Sequence, residues 1–269
     1  VEYDMSTRAV FAALGARLTE IPQWVCCGAS SAHAADPELA LALPAVNLAL
    51  AQETGRGDLL APCAACFNRS RAADHALRHD PDRRRAIEER VGFRYTGEVR
   101  VRSPLEAVTA DIGLEGVRAA VRLPLAGLRV VTYYGCLLVR PRRVTQVDDP
   151  EHPVEMQRIL EALGAEVRPW SHGVDCCGGS SSVPRPDVAR RLVGVLATAA
   201  REAGAQAMVT ACPLCQVNLE MRQVGDRPLP AFYFTELMGL ALGLPESRGW
   251  WSRHLVAPSP LLASLGLRP

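Results

Sequence analysis

A chain of 269 residues, 48% hydrophobic and 22% charged, is long enough to bury one large core or two small ones. Its net charge of +1 excludes the basic field of a nucleic-acid binder, and no apolar run reaches the roughly 18 residues of a membrane span. All thirty basic residues are arginine, which reads as coding bias; no secretory leader pattern is present, and a cytoplasmic location is expected.

Met5, Ala9, Val10 and Ala13 recur at helical spacing and Gly15 suits a C-cap, so residues 5–15 are expected to form a helix. Leu18 to Trp24 reads as a strand leading to "WVCCGASSA", where Cys26 and Cys27 are adjacent. Pro37 to Thr54 reads as a helix, and "DLLAP" as a short buried strand ending at Cys63, which forms a C-x-x-C with Cys66. A bridge follows over residues 80–127. In it "DPDRRRAIEERVG" is a solvated charged helix rather than a phosphate site, and "SPLEAVTADIG" opens with a Ser cap and a Pro at the first helical position.

The second half repeats this order. Strand "LRVVTYY" precedes Cys136, a helix runs from Pro153 to Leu163, and strand "AEVRPW" precedes the pair Cys176 and Cys177 in "VDCCGGSSS". A helix from Pro186 to Ala203 and strand "AMVTA" then lead to Cys212 and Cys215 in a second C-x-x-C. Thirty-five residues separate Cys27 from Cys63, and 34 separate Cys177 from Cys212. Agreement in both order and spacing indicates an internal duplication, with one repeat in 1–127 (including the bridge) and the other in 128–269. Strands alternating with helices imply an α/β fold with parallel strands, whose ligands gather beyond the strands' carboxyl ends, where the cysteines fall. Near the end of the chain, Trp250 and Trp251 in "RGWWSRHL" belong either to a docking surface or to core packing.

Nine cysteines in a chain with ample core read more naturally as a metal or redox site than as a disulfide framework. Neighbouring cysteines pair with each other only through a strained eight-membered ring. Five thiols in the second half exceed the four that zinc takes, and zinc gives no reason for adjacency. Each lies at a strand end or helix start, where backbone N–H groups favour thiolate. Gly28, Gly135 and Gly178, with Gly179, would let the backbone approach a bulky inorganic group. An iron–sulfur cluster, whose separate irons take neighbouring thiolates, is the favoured reading; a zinc-stabilised interaction module is the rival.

"YYGCLLVRP", "CCGGS" and "ACPLCQVNLE" resemble the B-type component of heterodisulfide reductase and its bacterial relatives, built on a duplicated cysteine-rich CCG domain. The resemblance implies two pseudo-symmetric Rossmann-like repeats, each holding a noncubane [4Fe-4S] cluster, with a disulfide substrate split between the two. By it, Cys136, Cys176, Cys177, Cys212 and Cys215 hold one cluster, and Cys26, Cys27, Cys63 and Cys66 supply four ligands of the other. The first repeat's match to Cys136 falls before Val1, so the chain is expected to be N-terminally truncated and its first cluster incomplete. The implied activity is catalytic reduction or formation of a disulfide. The alternative is a non-catalytic electron relay in a quinone-linked or sulfur-oxidising dehydrogenase complex. Ferredoxin, dinucleotide and P-loop motifs are all lacking in the sequence. The resemblance therefore implies partners: a ferredoxin-like iron–sulfur subunit of the C type and a flavin-containing subunit. His172 and His33 are candidates for proton delivery or for a purely structural role.

Overall fold

Each strand of the computed structural model runs into a helix or a cysteine-bearing turn, over the described residues 1–29, 31–225 and 227–268. The order begins α1 (Glu2–Ala13), α2 (Ser31–Ala35), α3 (Leu39–Glu53), β1 (Asp58–Leu60), α4 (Ala64–His79), α5 (Pro81–Val91) and β2 (Arg100–Arg102). Then come α6 (Pro104–Ala107), α7 (Gly113–Ala120), β3 (Arg129–Tyr133), α8 (Arg142–Thr145), α9 (Glu155–Ala162) and β4 (Glu166–Val167). The order closes with α10 (Pro186–Glu202), β5 (Ala207–Thr210), α11 (Pro213–Arg222), β6 (Ala231–Tyr233), α12 (Phe234–Ala241) and α13 (Ser259–Ser264). The fold is α/β, and every strand pair is parallel.

Two compact units form. The larger takes Val1–Leu18, Leu105–Cys136 and Glu151–Pro269; the smaller takes Thr19–Pro104 and Leu137–Pro150. Compactness thus divides the chain by a different criterion from the sequence repeats. Helix α1, from the first repeat, packs on α12, with Tyr3 stacked on Tyr233 at 4.3 Å and the Ser6 and Thr235 hydroxyls 2.7 Å apart. Conversely, residues 137–150 of the second repeat are tied to α4. Asn68 Nδ2 donates to the Leu137 and Arg140 carbonyls at 2.8 Å, and Arg71 donates to the Val101 and Thr145 carbonyls.

The larger unit's sheet has the order β4-β3-β5-β6. Val130, Val131, Ala207, Met208 and Val209 are wholly buried, the continuous apolar run that a parallel strand covered on both faces requires. Helix α10 buries Ala189, Val193, Leu196, Ala197 and Ala200, one stripe at helical spacing, and turns charge outward. In the smaller unit β1 and β2 pair from Asp58↔Arg100 to Leu60↔Arg102, and α3 packs on α4. Helix α5 begins where the Asp80 carboxylate accepts the Arg83 N–H at 3.0 Å with Pro81 in the first turn, and ends at Gly92 in the left-handed region.

Two expectations need correction, and one choice left open is decided. Leu18–Trp24 forms no strand: Pro22 has no N–H to give a ladder and Gln23 takes φ +59°. The "AEVRPW" strand is only Glu166–Val167, since Pro169 stops the pairing. Trp250 and Trp251 are core, not a docking surface: Trp250 is fully buried against Gly239, where a Cβ would lie 2.5 Å from its ring. Trp251 meets Phe232 edge-on at 5.7 Å.

Candidate metal centre

All five second-repeat cysteines lie in the larger unit, on three segments brought together by the carboxyl ends of β3 and β5. Cys136 follows β3 by way of Gly135, which adopts φ +64°; the Tyr134 and Gly135 N–H groups both donate to the Gly173 carbonyl, at 2.7 and 3.2 Å. This clamp binds the Cys136 turn to the loop carrying Cys176 and Cys177. Cys212 is the N-cap of α11 and Cys215 lies in its first turn, with Pro213 pre-set for the helix between them.

The thiols meet as pairs. The Cys136 thiol donates to Cys176, while Cys215 joins both Cys177 and Cys212. Cys176 is lowered to about 6, first by the Cys136 hydrogen bond and then, against burial, by the Gly178 N–H, 3.3 Å from its sulfur. Cys177 is lowered to about 7, first by Cys215 and then, against burial, by Asn218 and the Gly179 N–H. Their partners move oppositely: hydrogen bonding to the neighbouring sulfur, then burial, raises Cys136; the Cys177 and Cys212 hydrogen bonds raise Cys215. Hydrogen bonding between the sulfurs thus favours the thiolate at Cys176 and Cys177 over their partners Cys136 and Cys215.

The smaller unit repeats the Cys177–Cys215–Cys212 part of the arrangement with Cys27, Cys66 and Cys63. Cys27 Sγ lies 3.3 Å from Cys66 Sγ, and Cys66 also meets Cys63, the N-cap of α4. Cys27 is lowered to about 7, first by the Cys66 hydrogen bond, then, against burial, by the Ala29 N–H, with the Arg69 charge helping. Hydrogen bonds to Cys27 and Cys63 raise Cys66. Cys26 and Cys176, the leading members of the two adjacent pairs, are exposed, whereas Cys27 and Cys177 are buried. Adjacent residues in extended chain point opposite ways, so each pair offers one sulfur inward and one outward.

The three expected glycines do different things. A Cβ on Gly135 would lie 3.2 Å from Cys215 Sγ, so its bareness leaves room beside a thiol. Gly28 and Gly178 take φ +75° and +76°, and there a Cβ would meet helices, Ala32 Cβ at 2.6 Å and Ala189 Cα at 3.0 Å. They shape the turn after each pair. Gly179 lies with its missing Cβ 3.5 Å from Cys177 Sγ. His172 is fixed by Asp175, Nδ1 to Oδ2 2.7 Å, on the residue preceding Cys176. His33 stands on α2 in the smaller unit.

Among the described residues no three or more His, Cys, Asp and Glu side chains are grouped as ligands of a single ion. An all-thiol donor set on glycine-bordered turns, with backbone N–H aimed at sulfur, fits an iron–sulfur cluster, whose thiolates bind separate irons. Sequence reading missed Tyr133, whose hydroxyl donates to the Asp175 carbonyl at 2.6 Å, and Asn218, which donates to the Cys177 carbonyl. The tyrosine sits three residues before Cys136 and reads as an ordinary strand former.

The CCG cysteine-rich domain family matches residues 2–69 and 130–220. The chain is 31% identical, over 91% of its length and 88% of the relative's, to the 8-methylmenaquinol:fumarate reductase membrane anchor subunit of Wolinella succinogenes. It is 28% identical, over 91% of its length and 86% of the relative's, to the B-type component of the ferredoxin/F(420)H(2)-dependent CoB-CoM heterodisulfide reductase of Methanosarcina acetivorans. In fold it resembles a hypothetical protein from Helicobacter pylori, with a TM-score of 0.75 at 12% identity. That likeness covers 94% of this chain and 48% of the solved one, so the chain spans about half that protein's length. Among the described residues no helix is long and apolar enough to cross a membrane.

Proposed function

The chain belongs to the CCG cysteine-rich domain family, and from that premise we propose that it is the iron–sulfur subunit of a cytoplasmic heterodisulfide reductase-like complex, which reduces or forms a disulfide. The observation that carries this reading is the set of five thiols in the larger unit, three of them buried, Cys136 half-buried, and Cys176 exposed with its thiol lowered to about 6. Such a set holds a cofactor and leaves one edge open to substrate.

Cys136, Cys176, Cys177, Cys212 and Cys215 would hold one noncubane [4Fe-4S] cluster. Cys26, Cys27, Cys63 and Cys66 would supply ligands to a second. When bound, such a group supplies electrons singly to a reaction that consumes two electrons and two protons for each S–S bond opened into two thiols. The chain's own residues do the rest. Tyr133 pins the carbonyl before Cys176, the Gly178 N–H steadies the Cys176 sulfur, and Asn218 fixes Cys177. His172, held by Asp175, is the candidate to pass a proton to a departing thiolate. Electrons come from partners, a ferredoxin-like subunit of the C type and a flavin-containing subunit.

A second reading, a non-catalytic relay in a quinone-linked complex, is favoured by the likeness to the menaquinol:fumarate reductase subunit. Turnover separates the two. Anaerobically purified protein loaded with iron and sulfide should oxidise reduced viologen when given a disulfide, and Cys176→Ser should abolish this. Full iron and sulfide content with no turnover would favour the relay. Zinc without acid-labile sulfide would overturn both.

A further inference from the structure

The last residues of the three adjacent strands β3, β5 and β6 stand in one row. Tyr133 pairs with Thr210, and Thr210 with Tyr233. Side chains alternate between faces along a strand, and laterally paired residues share a face. The row therefore presents three hydroxyl-bearing side chains to one face, at the carboxyl edge where the cysteines gather. All three are buried, with Thr210 wholly so.

The two flanking members locate that face. A Cβ on Gly135 would lie 3.6 Å from the Tyr133 hydroxyl and 3.2 Å from Cys215 Sγ, which puts the phenol oxygen beside the thiols. The Tyr233 hydroxyl is 3.5 Å from Gln216 Oε1, the residue after Cys215. Between them, the Thr210 hydroxyl is buried and has no hydrogen-bond partner among the described residues. A buried hydroxyl left unmated forfeits its hydration with nothing in return, and such a group calls for an explanation. Thr210 lies two residues before Cys212, and the iron–sulfur group would bring acceptor sulfurs to this edge.

We propose that Thr210 is the hydrogen-bond donor, set between Tyr133 and Tyr233, to the iron–sulfur group held by Cys136, Cys176, Cys177, Cys212 and Cys215. The assignment rests on the proposed function for that group's presence. Hydrogen bonds to cluster and ligand sulfurs stabilise the more negative, reduced form and raise the potential. The first repeat lacks the device. Counted back from its C-x-x-C, the position of Thr210 is Ala61, a buried residue with no side-chain donor. The two sites are thereby made unequal, with the larger unit's group the easier to reduce.

The test compares Thr210→Val, which keeps the shape and removes the hydroxyl, with Thr210→Ser, which keeps the hydroxyl. Melting temperature is measured on metal-free and on iron- and sulfide-loaded protein, and the midpoint potential by EPR-monitored titration. Without metal, Thr210→Val should melt at or above the wild-type temperature, because an unmated hydroxyl is gone. Once loaded, it should melt below wild type and show a more negative potential, while Thr210→Ser keeps wild-type values. A hydroxyl that serves only packing cannot reverse sign on loading. If loaded Thr210→Val retains the wild-type potential, spectrum and melting temperature, the donor role is overturned and the cysteine site stands. If wild-type protein takes up no iron with sulfide, the site reading falls and the donor role with it.

Discussion

His254 shows what one buried residue can fix. Its Nδ1 lies 2.8 Å from Glu220 Oε1, its Nε2 3.1 Å from Glu236 Oε1, and all three side chains are sealed from solvent. Burial pushes the Glu236 carboxyl up, and the hydrogen bond and charge of His254 oppose this; a ring set between two carboxylates can donate to both as the imidazolium. Burial alone would pull its pKa down; the hydrogen bonds and charges of the two glutamates overcome this and raise it to about 10. Because the folded value exceeds the unfolded one of about 6.5, the contribution is complete below about 6.5 and is lost as pH rises through about 10. Urea unfolding of wild type across that window should therefore show a fall in stability that His254→Gln does not share. His254→Ala, leaving two buried carboxylates facing a void, should cost about 3–5 kcal/mol at neutral pH.

Helix α10 carries two glycine contrasts. Gly194, inside the helix, has nothing within 4 Å of where a Cβ would stand, so Gly194→Ala should stabilise by about 0.5–1 kcal/mol. Gly178 faces the same helix from the CCG turn, at φ +76° and 3.0 Å from the Ala189 backbone. Gly178→Ala should cost at least about 1–2 kcal/mol from the left-handed backbone alone. Equilibrium denaturation of both variants checks the opposite signs. These elements also show what sequence can and cannot tell. Strands β3 and β5 were legible because burial on both faces makes them continuous apolar runs, and α10 because one stripe is apolar. Strand β2 was not: Val101 stands alone between Arg100 and Arg102. The supposed strand at 18–24 looked apolar enough, but Pro22 and the left-handed Gln23 break it. In the site, the cysteines announce themselves by spacing. Tyr133 and Thr210 do not, since aromatic and β-branched residues are what strands ordinarily contain.

Across the whole molecule the nine thiols differ by location more than by number. Cys26 and Cys176 are exposed, Cys27, Cys177, Cys212 and Cys215 are buried, and Cys63, Cys66 and Cys136 are intermediate. In metal-free protein a brief iodoacetamide pulse should therefore label Cys26 and Cys176 first, with Cys176 reacting at half its maximal rate near pH 6. The four buried thiols should label only with unfolding. Peptide mass spectrometry reads the pattern, and loading with iron and sulfide should remove the early labelling of Cys176. Equal labelling of all nine would mean that the thiol pairs are not held as described.

The exchange of segments between the two compact units has a consequence for synthesis. A chain is made from its amino end, and domains generally fold in that order. Here the smaller unit can close once residue 150 has emerged, while α1, made before all of that unit, belongs with α12 at Phe234–Ala241. A helix made before the smaller unit is thus placed only after it. For most of translation its Val10 and Phe11, both buried in the finished protein, have no cover. Until α12 emerges, that apolar segment is one a chaperone can cover.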